Sequence, residues 1–288
     1  MPRPPVSVVV PFRGDDRAAA RLGSSLEKLE LGAGDELIVV DNSDKDAARF
    51  LFQPGGRLER RRVLPATGER SSYHARNVGA GEATGEWIVF TDADCVPDPG
   101  LLDAYFSPMP GRQVGALAGF VTTDPGQSHF LARYVSDRGF LDQDAGVHTA
   151  GDAAATANLV VRRQAFETLD GFTEGIRSGG DVDFCRRLIA AGYEIERRPS
   201  ACVRHLHRES LRDLMESIAR YAAGARWLNE RYPGTAPAWP LVPGLVHCTR
   251  DIAADLARRR FEHAAFRGID ALGLFAHTIG YRQSNSAR

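Results

Sequence analysis

The chain has 288 residues, 43% of them hydrophobic and 25% charged, and 36 basic against 37 acidic residues leave a formal net charge of −1. That is an ordinary globular composition, which excludes a disordered, collagen-like or disulfide-scaffold protein, and a chain this long buries enough surface to fold without staples. The near-zero charge excludes a general nucleic-acid binder. Cys95, Cys185, Cys202 and Cys248 are far apart, with no C-x-x-C pair, so neither a zinc cage nor a disulfide framework is expected, and a reducing cytoplasm fits.

In chain order, Met1-Pro2-Arg3-Pro4-Pro5 leads straight into Val6-Ser7-Val8-Val9-Val10, which leaves no room for the apolar region of a signal peptide. Val6–Val10, Glu36–Val40, Trp87–Phe90 and Val114–Val121 read as strands, rich in β-branched and aromatic residues. Asp16–Glu30 reads as a helix, with Leu22, Leu26 and Leu29 on one face and Asp15 or Asp16 as its cap. Arg70–Ala80 reads as a second, stopped by Gly79 and Gly81. Strands alternating with helices imply a mostly parallel sheet covered on both faces.

After about residue 209 the texture changes. Ser210–Leu228 carries Leu211, Leu214, Met215, Ile218, Tyr221 and Ala222 on one face behind a serine cap. Tyr232–Thr249, the longest uncharged run, contains four prolines and reads as a loop, not a membrane span. Thr249–Ala265, carrying Arg258-Arg259-Arg260, and Gly268–Tyr281 read as two more helices. The pattern divides the chain into an α/β domain, 1–209, and a helical C-terminal extension, 210–288. Residues 1–203 hold 23 basic and 29 acidic residues, whereas 204–288 hold 13 and 8. This asymmetry reflects either solvated helix faces or a segment that meets phosphate, acidic lipid or an acidic partner.

The strongest chemical signal is Trp87-Ile88-Val89-Phe90-Thr91-Asp92-Ala93-Asp94. An apolar strand ends and two carboxylates follow at i and i+2, on one face of an extended chain. Open α/β sheets bind ligands beyond such strand ends. Two adjacent carboxylates repel unless a proton or cation lies between them, and a hard divalent ion bridging to phosphate oxygens satisfies that geometry.

Further motifs stand in order around it. Ala75-Arg76-Asn77-Val78-Gly79 and Gly85-Glu86 precede the strand. Val8-Val9-Val10-Pro11-Phe12-Arg13 and Val39-Val40-Asp41-Asn42-Ser43 close the first two strands. Downstream come Ala157-Asn158-Leu159-Val160-Val161-Arg162-Arg163, Leu169-Asp170-Gly171-Phe172, and Gly179-Gly180-Asp181-Val182-Asp183-Phe184 with Arg187-Leu188. Over residues 6–210 this series resembles the family 2 glycosyltransferases of GT-A fold, a Rossmann-like nucleotide-binding sheet flanked by helices.

The resemblance implies that a sugar moves from a nucleotide-diphospho-sugar donor to an acceptor hydroxyl, on a sugar, a lipid-linked carrier or a small molecule, with inversion at the anomeric carbon and a divalent metal, Mn2+ or Mg2+. It places the nucleotide-sugar half at about 1–95 and the acceptor half at about 96–209. Pro11, Phe12, Arg13, Asp41, Arg76, Asp92 and Ala93 fall to the donor. Asp41 either accepts from the base or shapes the turn Asp-Asn-Ser, and Arg76 pairs either with diphosphate or with Asp92 or Asp94. Asp92, Asp94 and His205 fall to the metal, with His207 on the same extended face as His205.

Asp181 falls to the general base, although an N-capping aspartate before a helix Val182–Ala191 competes for the same oxygens. Asp183 stands behind it. Gly180 occupies a place where members of the family usually carry Glu. Asn158, Gly180 and Asp183 fall to the acceptor side, where 124–156 also offers His129, Tyr134, Arg138 and His148.

Rival readings are a retaining glycosyltransferase, a nucleotidyltransferase acting on sugar phosphates, and a non-catalytic nucleotide-sugar binder. The nucleotidyltransferase wants an early Gly-rich loop with Lys, and this chain has only Lys28 and Lys45. The C-terminal stripe Ile269, Leu272, Leu274, Phe275 and Ile279 is expected to pack on the catalytic part or to form a homodimer contact. The alternative is weak peripheral contact with an anionic membrane at its inner face.

Overall fold

The computed structural model describes residues 3–49, 51–52, 60–139 and 154–287, so His148 lies outside the described residues. The chain runs β1 (Val6–Phe12), α1 (Asp16–Leu26), β2 (Glu36–Asp41), β3 (Arg61–Pro65), α2 (Ser72–Gly81), β4 (Trp87–Thr91), β5 (Cys95–Pro97) and α3 (Leu101–Tyr105). It continues through β6 (Val114–Thr123), α4 (Phe130–Asp137), β7 (Asn158–Arg162), α5 (Arg163–Thr168), α6 (Gly180–Ala190), β8 (Glu194–His205), α7 (Leu211–Arg231), α8 (Leu241–Ala257) and α9 (Phe261–Gly280). The strands form one sheet in the order β3-β2-β1-β4-β7-β6-β8-β5.

β1 to β4 pair in parallel, as the strand–helix alternation implies. β7 runs antiparallel to both β4 and β6, and β5 antiparallel to β8, so the sheet is mixed beyond β4. Side chains alternate across the strands. Val8, Val10 and Phe12 of β1 join Leu22, Leu26, Leu101 and Tyr105 on one face. Val9 joins Tyr73, Phe166, Phe172 and Phe184 on the other. Each such side chain, fully buried, contributes about 1.5–3 kcal/mol. Gly85 permits the close approach of β1: a β-carbon there would lie 2.6 Å from the backbone of Val6 and Ser7.

The C-terminal reading needs correction. The loop ends at Pro240, and Leu241–Ala257 is helical despite Pro243. A proline in the first turn removes an N–H that has no intrahelical acceptor anyway, so the helix tolerates it. Arg258-Arg259-Arg260 is not helical but forms the turn between α8 and α9, where Arg259 adopts φ +57°. Gly268 lies inside α9 rather than at its start.

The three C-terminal helices are fastened to the α/β part. Phe266 and Ile269 of α9 pack with Ile218 of α7 and Leu131 and Tyr134 of α4. Asp270 accepts from the Tyr134 hydroxyl at 2.9 Å and from Arg138 at 2.8 Å. Among the described residues no helix is long and apolar enough to cross a membrane.

Candidate active site

The site forms at the carboxyl ends of β1, β2 and β4. Asp92 and Asp94 follow β4 directly, as the strand-end pattern requires. β5 then turns back, and its pairing sets Cys95 opposite His205 at the end of β8. The backbone N–H of Leu206 donates to the Asp94 carbonyl at 2.8 Å, fixing the register. The His205 Nε2 consequently stands 3.4 Å from Asp94 Oδ1, and half of the Asp94 side chain stays open to solvent.

Asp92 turns the other way. It accepts from the nearly buried guanidinium of Arg76, in the middle of α2. Of the two carboxylates the sequence leaves open for Arg76, it pairs with Asp92. Desolvation at the crowded strand end raises the Asp94 carboxyl above the ordinary aspartate value; His205 and Arg208 pull against it and Asp92 adds to it.

Asp94, Cys95 and His205 bring one ligand atom each within 4.8 Å of one another. The Cys95 thiol is buried, and that burial pushes its pKa up well above the ordinary value, so it stays a neutral core group. A carboxylate and an imidazole with open space beside them suit a divalent cation that completes its shell with phosphate oxygens. Arg76 Nε, beside Asp92, is buried without a hydrogen-bond partner, an unsatisfied cationic donor at the strand end. The residues therefore fit a metal–diphosphate group.

His207 shares the neighbourhood, its ring centroid 5.3 Å from that of His205. Its role differs. Nε2 bonds Thr123 Oγ1 at 2.9 Å, Gln127 holds its backbone, and burial lowers its pKa to about 4, so it is a neutral structural histidine.

Asp181 lies in the first turn of α6. That helix begins at Gly180, with Gly179 as its cap at φ +89°, so Asp181 is inside the helix and does not cap it. The left-handed backbone at Gly179 suits a residue without a β-carbon. Asp181 Oδ1 accepts from the Val182 N–H at 3.0 Å. Desolvation raises the Asp181 carboxyl, the Val182 N–H and Arg76 pull it back, and the charge of Asp92 adds to the rise. Asp181 is thus within electrostatic reach of both members of the Arg76–Asp92 pair.

A cleft of about 700 Å3 opens beside β1 and β2, lined by Arg13, Asp16, Arg17, Ser43, Asp44 and Lys45 among others. Arg13 is exposed on it, and Pro11 is half-buried in β1. Ala93 is half-buried between the two aspartates.

Four assignments change. Phe12 turns inward, 2% exposed, and belongs to the core. Asp41 is buried, and its two oxygens accept from the N–H groups of Ser43 and Ala48 at 2.8 and 2.7 Å. It shapes the loop that walls the cleft.

Asn158 is fully buried, bonded to Tyr105 and to the carbonyls of Phe120 and Ala201. It joins β7 to β6 and β8 and does not face an acceptor. Asp183 is likewise fully buried. Its oxygens take hydrogen bonds from Thr173 at 2.8 Å, Arg187 at 2.9 Å and Tyr232 at 2.8 Å, and Arg231 stands 2.9 Å away. No oxygen remains for a substrate proton.

Sequence reasoning missed Tyr73, whose buried ring lies against Gly180 at the start of α6. It also missed Arg17 and Lys45 on the cleft. No spacing marks Tyr73, although its place three residues before Arg76, on one helix face, could have suggested it.

A family model described as "Glycosyltransferase like family 2" matches residues 2–224. The pre-mycofactocin glycosyltransferase of Mycobacterium tuberculosis is 31% identical over 288 residues, covering 91% of this chain and 60% of that protein. The glycosyltransferase AglE of Haloferax volcanii is 30% identical over 162 residues, 56% of this chain and 53% of its own length. The chain thus spans about 60% of the first of these curated relatives. Among solved structures, a mannosyltransferase from Pyrobaculum calidifontis in complex with GDP-Man and Mn2+ superposes with TM-score 0.65 at 19% identity, over 98% of this chain and 88% of that one. S. aureus TarS in complex with UDP-GlcNAc gives TM-score 0.54 at 18% identity, over 78% and 66%. At these identities the two structures establish a shared fold.

Proposed function

The chain belongs to the glycosyltransferase-like family 2, and on that premise we propose that it transfers a sugar from a nucleotide-diphospho-sugar donor to an acceptor hydroxyl, with inversion. One observation carries the reading: β5–β8 pairing sets His205 beside Asp94, Arg76 holds Asp92, and Asp181 opens a helix within electrostatic reach of both.

In this reading the cleft beside Arg13, Ser43 and Asp44 takes the nucleoside. Arg76, beside Asp92, supplies positive charge toward the diphosphate. Asp94 and His205 would hold a divalent cation, Mn2+ or Mg2+, which when bound neutralises charge on the leaving diphosphate as a Lewis acid. Asp181 takes the proton of the acceptor hydroxyl, and its raised pKa makes it a better base than an ordinary aspartate, a contribution of about 10²–10⁴-fold. The remaining barrier falls through positioning and charge neutralisation. The catalytic part is residues 1–209, and 210–288 form the helical extension that braces it.

The test is calorimetric and kinetic. Nucleoside diphosphates are titrated into the protein with Mn2+, Mg2+ or chelator, and sugar transfer from the matching donors is then followed with product anomers assigned. Ligand at 100 times Kd adds about 2.7 kcal/mol of stability, easily read as a melting shift. Metal-dependent binding that Asp94→Ala abolishes supports the site. Binding by the variant with unchanged metal dependence overturns it, and binding without turnover makes the chain a nucleotide-sugar binder.

A further inference from the structure

The α8–α9 hairpin carries an uncovered face. Along α8, Val242, Val246, Thr249, Ala253 and Leu256 recur at alternating steps of four and three, and all are exposed. Along α9, Phe261, Ala265, Gly268, Leu272, Phe275 and Ile279 repeat the same steps. This spacing draws one stripe along each helix, and neither stripe contains a charge.

The large members are not marginally exposed: Val242, Val246, Leu256, Phe261, Leu272, Phe275 and Ile279 keep between 46% and 70% of their surface open. The opposite faces are satisfied. Phe266 and Ile269 of α9 sit in the cluster with α7 and α4, and Gly244 of α8 lies against Leu274. Of the stripe read from the sequence, Ile269 packs as expected and Leu272, Phe275 and Ile279 do not. Two contiguous apolar stripes on neighbouring helices are more than scattered surface residues.

Charge identifies the occupant. The hairpin's acids are all paired or buried. Asp251 pairs with His247 and Arg267, Glu262 with Arg133, Asp270 with Arg138, and Asp255 is buried. At the hairpin tip stand Arg258, Arg259 and Arg260, exposed, with no acidic partner among the described residues. At the other end Trp239 lies just before α8, partly exposed and stacked on His277 at 4.2 Å. An uncharged face with a cationic cluster at one end and an amphipathic indole at the other matches a bilayer interface, where helices lie in the plane without crossing it. A second copy of this chain would bring three arginines against three arginines, or set them against a stripe without acids.

We propose that the α8–α9 hairpin is a peripheral membrane-binding surface that rests its stripes on the headgroup boundary of an anionic bilayer. This inference does not depend on the glycosyl-transfer reading.

Co-sedimentation of the full chain tests it, with vesicles of phosphatidylcholine alone or of phosphatidylcholine and phosphatidylglycerol in equal parts. Each arginine near an anionic surface is worth about fivefold in affinity, so charge reversal of Arg258, Arg259 and Arg260 to Glu should reduce binding by at least about 100-fold. Salt at about 0.5 M should release the protein. Leu272→Ser with Phe275→Ser, both on the exposed stripe, should weaken binding at least about tenfold without lowering the melting temperature. No pelleting with anionic vesicles, or pelleting indifferent to both sets of substitutions, overturns the proposal. So does a concentration-dependent dimer, seen by sedimentation without lipid and lost in the Leu272→Ser/Phe275→Ser variant, because the stripe would then be a subunit interface.

Discussion

The Tyr73 ring occupies the space that any side chain at position 180 would need: a β-carbon on Gly180 would lie 2.8 Å from two ring carbons. The glycine that departs from the family pattern therefore has a steric counterpart. The ring thus packs at the start of the helix that carries the proposed base. We expect Gly180→Glu to cost about 1–3 kcal/mol through overpacking. In a double-mutant cycle read by denaturant unfolding, Tyr73→Ala should offset part of that cost. A Gly180→Glu protein as stable as the parent would contradict this account.

Asp181→Asn keeps the size of the side chain and removes the basic oxygen. Donor and metal binding should survive, because neither Arg76 nor Asp94 is altered, while transfer falls at least about 10²-fold. Single-turnover rates alongside calorimetric binding separate the two effects. Near-normal turnover would require another base, and Asp183, with its oxygens already engaged, is not available.

Asp183 should instead control stability. Burial alone would raise its pKa, but hydrogen bonds from Thr173, Tyr232 and Arg187 outweigh that and hold it below the usual aspartate value. Asp183→Ala should cost roughly 3 kcal/mol, the scale of breaking a buried charge network. The pH dependence follows from the sign of the shift. A depressed carboxyl stabilises above the unfolded value near 4, and the contribution disappears as pH falls through the lower folded value. Melting curves of parent and Asp183→Asn should therefore differ most at neutral pH, begin to approach below about pH 4, and converge only below the folded value.

Gly280 marks where α9 crosses α7. A β-carbon there would lie 2.1 Å from the Ala219 carbonyl oxygen, and backbone cannot yield as a side-chain tip can. Gly280→Val should force the helices apart and cost about 3 kcal/mol or more. Limited proteolysis should then cut within 232–240 faster than in the parent. Equal protection would show that the crossing relaxes without cost.

The sequence reveals the sheet where one residue pattern meets one environment. Val6–Val10, Glu36–Val40 and Trp87–Phe90 are buried on both faces, so continuous apolar runs mark them. β3 and β8 are harder to see, because Arg61, Arg62 and Arg197 interrupt them where the sheet is less covered and Arg198 interrupts β8 as a buried arginine. The aspartates after β4 were legible because an apolar strand ends there, whereas His205 came from the family resemblance. What Asp41, Asn158 and Asp183 bond to was not. Each is a polar residue in a motif whose partners come from elsewhere in the sequence, such as Tyr232 for Asp183. A buried polar side chain resembles a catalytic one until its hydrogen bonds are counted.

Asn77 joins two stretches of chain almost a hundred residues apart. Its amide donates to the Phe172 carbonyl, its oxygen accepts from the Phe172 N–H, both at 2.9 Å, and that oxygen would lie 2.7 Å from any β-carbon on Gly171, which holds φ +63°. The helix bearing Arg76 and the turn leading toward α6 are thus keyed to each other. In a chimera between this chain and a relative, residues 72–81 and 171–174 must come from the same parent, and a crossover point placed between them should yield protein in which the arginine no longer reaches Asp92.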